Sequence, residues 1–240
     1  MKMRKQNQTF TPLKLKPLAL TPINHKFTGM SFGGLGATSG RILPDASNQP
    51  DPTPEQIQHF EEHGKKIIDQ IVHKSLKKHK DKDALHGSKS LQLIIGKDKY
   101  PHEPADWDVF SKEEKKRALE IEKAIDDKAG ADIAHTRYQT VRKVSMGPDD
   151  PYTGKHLYIV ETPDVRSDNS VDYMDFPKDL PTLVKGGIRH EHLNIAYMKA
   201  STRYKRQIMK AQRGFEDARL IKEYYMRQGR KINTPKTQTL

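Results

Sequence analysis

Between Ile133 and Phe176 the apolar residues change their spacing, and that change excludes an all-helical fold. In "AHTRYQTVRKVSM" and "HLYIVET" they alternate with polar residues around the turn-rich "GPDDPYTG". Side chains on a strand point to opposite faces in turn, so this period of two predicts a hairpin with one buried face. A third strand, "SVDYMDF", follows and stops at Pro177, which cannot donate to a ladder.

On either side the period is helical. Thr53 is placed to cap "TPEQIQHFEEHGKKIIDQIVHKSLKKH", with Pro54 at the first helical position. Ile57, Phe60, Ile67, Ile68, Ile71, Val72 and Leu76 make its apolar face. Ser111 is expected to cap "SKEEKKRALEIEKAIDDKAG", with Glu114 at the capping-box position and Gly130 as the stop. From Leu193 to Tyr225 apolar residues step by three and four, predicting one long helix or two meeting near Gly214. Its other face carries Arg203, Arg206, Lys210, Arg213 and Lys222. Strands among helices point to the α+β class.

Residues 1–54 hold seven of the fifteen prolines and the cluster "TGMSFGGLGATSG", with no apolar period. Residues that fix or free φ at that density do not sustain regular structure, so 1–52 reads as an extended or disordered arm. The domain proper is expected over 53–184, with 185–240 as a basic helical extension. Charge follows the same division. Residues 1–50 carry +6 and 185–240 carry +10, so the middle of this +12 chain is left at −4. An acidic centre between basic flanks suits a polyanion such as nucleic acid, or a protein partner, held through residues 1–50 and 185–240. The absence of cysteine excludes disulfides and thiolate metal sites, and no apolar run is long enough to span a membrane.

The chemistry concentrates in Leu85–Phe110, "LHGSKSLQLIIGKDKYPHEPADWDVF". Gly87-Ser88 opens an apolar helical segment, where free N–H groups and the positive dipole end attract phosphate. Asp106-Trp107-Asp108 heads a strand. Alternation puts Asp106, Asp108 and Phe110 on one face, and Trp107 and Val109 on the face toward the helices. Asp172 in "SVDYM" repeats the pattern between Val171 and Tyr173. Carboxylates that converge repel each other unless a divalent cation sits between them, and an all-oxygen set suits Mg²⁺.

Gly-Ser opening a helix, Asp-x-Asp on the next strand and a third Asp on a later one resemble the nucleotidyltransferase superfamily, the DNA-polymerase-beta-like fold. The wording "LHGSKSL…DWDVF…VDYMDFP" is similar to members encoded by large DNA viruses. The resemblance covers about residues 80–180, with the helix "KAQRGFEDARLI" as a further candidate, and implies a mixed sheet flanked by helices. It implies that Gly87 and Ser88 hold the phosphates of a nucleoside triphosphate, with Lys89 adding charge. It also implies that Asp106 and Asp108 bind two Mg²⁺ ions, with Asp172 completing the second site and helping to activate the attacking hydroxyl. The activity implied is nucleotidyl transfer in the cytoplasm, or in the host cytoplasm or virion for a viral protein. The alternative is a structural or assembly protein, such as a virion component, that keeps the fold and binds partners through its arm and basic helix. The nineteen-residue step from Gly87 to Asp106 is longer than the family's usual one. "RHEH" at 189–192 lacks zinc-site spacing and reads as surface residues at a helix start. His86 and Ser88 lack the turn that would make a nucleophile and base.

Overall fold

The computed structural model describes residues 41–104, 106–140, 156–162, 171–205 and 211–232. Eight strands and five helices lie among them. The strands are β1 (Arg41–Ile42), β2 (Asp83–His86), β3 (Trp107–Ser111), β4 (His135–Thr140), β5 (His156–Glu161), β6 (Val171–Asp175), β7 (Thr182–Lys185) and β8 (Ile188–Glu191). The helices are α1 (Pro54–Lys78), α2 (Gly87–Ile95), α3 (Glu114–Ala129), α4 (Leu193–Lys205) and α5 (Ala211–Arg227). All strands join one sheet in the order β1-β4-β5-β6-β3-β2-β8-β7. The β3–β6 and β2–β8 pairs are parallel and the rest antiparallel. The expected α+β class, a mixed sheet flanked by helices, is what the chain adopts.

Alternation sorts the two faces of the central strands. Leu85, Trp107, Val109, Val160, Val171 and Tyr173 pack with Phe60, Ile68, Val72 and Leu76 of α1 and Ala118, Ile121 and Ile125 of α3. Phe110, Leu157, Ile159 and Met174 make a smaller cluster from the opposite set of positions. Thr53 caps α1 through a reciprocal bond with Gln56. Ser111, expected to cap α3, instead ends β3. Its hydroxyl donates to Asp83 Oδ1 at 2.7 Å and accepts from Glu113 N–H, while Glu113 takes the N-cap position before the helix. Gly130 does stop α3, in the left-handed conformation at φ 68°.

Three features of the fold differ from expectation. Residues 41–52, expected in the arm, belong to the domain: β1 pairs with β4, and Ala46 N–H donates to Glu122 Oε1 at 2.6 Å. The rest of that arm lies outside the described residues. Strands β2, β7 and β8 give no signal in the sequence because each is only four residues long and shows no alternation of polarity. Finally, residues 185–232 are not an appendage. β8 lies inside the sheet beside β2, and α4 and α5 bury Leu193, Leu220, Ile221 and Tyr225 against Leu91, Ile94 and Ile95 of α2. The two last helices are separate, and Gly214 sits within α5, where it allows close approach to α4. A β-carbon there would lie 2.7 Å from Ala200 O. The "GPDDPYTG" turn, Arg206 and Lys210 fall outside the described residues.

Candidate active site

The site grows from two strand ends and one helix start. In β3, Asp108 pairs in parallel register with Asp172 of β6, which puts their side chains side by side on the same sheet face. Across β3's other edge, Asp108 pairs with His86, the residue before α2. Asp106 stands one residue before β3 and two before Asp108, half-buried as both partners are. The expected division of the strand holds: Trp107 and Val109 enter the helix-packed core, and Phe110 joins the opposite cluster.

Gly87 brings α2 onto this carboxylate pair. It has φ 67°, and a β-carbon placed on it would lie 2.1 Å from Asp108 Oδ2. Only a residue without a side chain lets the helix start come that close to the carboxylate. His86, the residue before α2, gives the first turn no side-chain cap. The first-turn N–H groups and the positive end of the helix dipole are therefore not taken up by that residue's side chain. Helix-start amides against a carboxylate pair form an arrangement in which an anionic group and a cation can be held next to each other. The donor set fits a hard divalent cation: oxygen only, from carboxylates on adjacent strands, with room kept by the missing β-carbon.

Among the described residues, another acidic group, Asp45, Asp126 and Asp132, has ligand atoms that all lie within 4.8 Å of one another.

Lys89 does not reach the site as expected. It is buried on the far side of α2, its Nζ 2.9 Å from Asp69 Oδ1 and 4.7 Å from the centre of the Trp107 ring. Trp107 Nε1 donates to the same Asp69 oxygen at 2.8 Å. One helical position separates Ser88 from Lys89, about a 100° turn, so the two cannot face the same side. The cation beside Ser88 comes instead from α5. Arg213 Nη2 donates to Ser88 Oγ at 3.1 Å and to Tyr100 Oη at 2.8 Å. Tyr100 donates in turn to Asp217 Oδ1 at 2.9 Å. Burial, with Asp217 adding to it, pushes the Tyr100 phenol up to about 12, so it stays a donor. The helical pattern alone puts Arg213 on a solvent-facing basic stripe. Its spacing to Asp217, four residues on, is the available signal of an inward-facing pair.

Two histidines complete the surroundings. His86 is buried and stacked on Phe110 with ring centroids 3.8 Å apart. Burial, with Lys199 adding to it, holds its pKa well below the ordinary value. His190, expected at the surface of a helix start, is instead buried in β8, with Ser90 Oγ 3.0 Å from its Nδ1. Burial brings its pKa down to about 4.

No family model matches this chain, and no curated protein does. Among solved structures it is similar to the Megavirus polyadenylate synthase, at 12% identity and a TM-score of 0.49, over 67% of this chain and 31% of that one. The chain thus spans less than a third of that protein's length. Among the described residues, no helix is long and apolar enough to cross a membrane.

Proposed function

We propose that this chain is a nucleotidyltransferase, moving a nucleotidyl group from a nucleoside triphosphate to a hydroxyl acceptor with Mg²⁺. The observation that carries the reading is the contact of three sequence-distant parts. The start of α2 at Gly87 abuts Asp108, and Asp108 pairs in register with Asp172. In this reading the Gly87 and Ser88 amides bind the phosphates. Arg213, beside Ser88, supplies the cationic partner in place of Lys89. Asp106, Asp108 and Asp172 hold the metal, and Asp172 orients the acceptor hydroxyl toward the α-phosphorus. Bound Mg²⁺ would neutralise the triphosphate and favour the deprotonated acceptor. The exposed Lys222, Arg227, Arg230 and Lys231 at the end of α5 suit the phosphates of a nucleic-acid acceptor, and residues 1–50 add further positive charge.

The test is incorporation from each α-labelled nucleoside triphosphate into mixed RNA and DNA primers with Mg²⁺. The wild type should incorporate label, and Asp108→Asn should abolish it. Folded protein that neither incorporates nor is stabilised by any of the four triphosphates would overturn the reading.

A second reading, a structural or assembly protein that keeps the fold without the chemistry, draws on the seven prolines and the +6 charge of the N-terminal stretch, which suit a binding arm rather than catalysis. It requires silence from every nucleotide.

A further inference from the structure

We propose that Asp45, Asp126 and Asp132 form a separate binding site for a hard divalent cation of the Ca²⁺ or Mg²⁺ class, which fastens the segment after β1 to the end of α3. Each residue offers one oxygen, and these atoms all lie within 4.8 Å of one another. The second observation is burial. Asp126 is fully buried, and its two oxygens have different fates. Oδ1 accepts the amides of Ile133 and Ala134 at 2.9 and 2.8 Å. Oδ2 has no hydrogen-bond partner at bonding distance, and the Ser47 hydroxyl beside the carboxylate favours its ionised form. Asp132 Oδ1 is buried without a hydrogen bond as well. The nearest base is His135, whose Nδ1 is 3.8 Å away on a side chain more than half exposed. Among the described residues no lysine or arginine pairs with any of the three.

Carboxylates gathered in this way repel one another and lose hydration, which must be offset by protons or by a cation. Two features favour the cation. All the donors are oxygens, the preference of hard divalent ions over zinc or copper. The three residues also come from three segments: the stretch after β1, the last turn of α3, and the loop to β4. Ser47 N–H turns back onto Asp45 Oδ1 at 2.7 Å, and Asp132 N–H donates to Pro50 O at 2.8 Å. The chain is thus already folded around the site, and an ion there would tie residues 45–50 to α3.

The test uses the full-length protein, with Asp108→Asn as the background that disables the β3 site. Melting temperature is followed in EDTA, in CaCl₂ and in MgCl₂. At a cation concentration about 100 times Kd the expected rise is on the order of 5 °C, present in Asp108→Asn and absent once Asp45→Asn is added to that background. Asp45 is exposed, so that variant should fold; Asp132→Asn provides a second removal of one ligand. The CaCl₂ and MgCl₂ arms tell which ion the site prefers. A rise that Asp108→Asn abolishes and Asp45→Asn keeps assigns the ion to β3 and overturns the proposal. So does a folded wild type indifferent to both ions whose stability increases on Asp45→Asn or Asp126→Asn, the mark of carboxylates held by a shared proton. Indifference to both ions with no such gain also overturns it. None of these outcomes depends on whether the chain transfers nucleotides.

Discussion

Gly87→Ala separates two effects that a single glycine combines. The first is backbone strain: an alanine at φ 67° costs roughly 1–2 kcal/mol. Gly130 measures that part alone, because it has φ 68° and a methyl added to it would meet nothing within 4 Å. Gly130→Ala should therefore lower the melting temperature by about 2–8 °C, at about 2–4 °C per kcal/mol for a domain of this size. The second effect is a collision. The new methyl would sit 2.1 Å from Asp108 Oδ2, whereas ordinary contact begins at 3.4 Å. The carboxylate must retreat by about 1.3 Å or the helix start must shift as far. Misplacement by about an ångström can cost a catalytic constellation roughly 100-fold, so nucleotidyl transfer should fall by at least that factor. Asp108→Ala removes the obstacle. The double variant should be more stable than the two single changes predict, with a coupling of roughly 0.5–3 kcal/mol. The assay is denaturant unfolding of the four proteins of the cycle beside Gly130→Ala. If Gly87→Ala unfolds like Gly130→Ala and shows no coupling to Asp108, the carboxylate is not held against the helix start. The site then loses its central contact.

Lys89→Met should lower stability by about 1 kcal/mol while leaving the KM for nucleotide nearly unchanged, whereas Arg213→Met should raise that KM by roughly 10–100-fold, the loss of one charged hydrogen bond; steady-state kinetics separate them, and the reverse pattern would return Lys89 to the phosphates. Arg117→Met should cost about 3–5 kcal/mol in urea unfolding, because Arg117 Nε lies 3.0 Å from Asp83 Oδ2 with both side chains 1% exposed, and the change leaves a buried carboxylate unpaired. His190, at about 4 in the folded protein against 6.5 for a free histidine, keeps its neutral form on folding. The unfolded chain takes up that proton first as pH falls, so stability present above pH 6.5 should drain by up to about 3 kcal/mol by pH 4. His190→Gln should flatten that slope, and an unchanged slope would place the acid sensitivity in another group.

The order of chemistry along this chain is legible because it depends on local patterns. "DWDVF" and "SVDYMDF" each alternate, so the face of every aspartate follows from its neighbours, and Gly-Ser before an apolar run marks a helix start. Registry between β3 and β6 is not legible, since nothing in either segment specifies which residues pair. The short strands escape for another reason. Buried on both faces and only four residues long, "DALH" and "IRHE" carry no period. Without β8, the sequence puts the domain boundary at 184, inside the sheet, and leaves His190 on the surface. Lys89 departs from its expected place because adjacency in sequence is not adjacency in space: one step along a helix turns a side chain by about 100°.

The same geometry explains why residues 185–232 cannot be detached from the site. Asp69 and Trp107 take the ammonium of Lys89. Helix α2 is thereby left with no cation of its own at its N-terminal end. Arg213 fills that position from α5, held by Tyr100 and Asp217 from the loop after α2 and from α5 itself. The apolar contact of α2 with α4 and α5 orients the guanidinium, and the close approach at Gly214 fixes α5 against α4. Truncation after residue 184 would expose Leu91, Ile94 and Ile95 and remove β8 from beside β2. The fragment should therefore be insoluble or molten, with exposed apolar surface that binds a hydrophobic dye, rather than a folded domain merely stripped of charge. A soluble, cooperatively melting fragment ending at residue 184 would show that the C-terminal helices are dispensable to the fold, and that their charge serves a separate purpose.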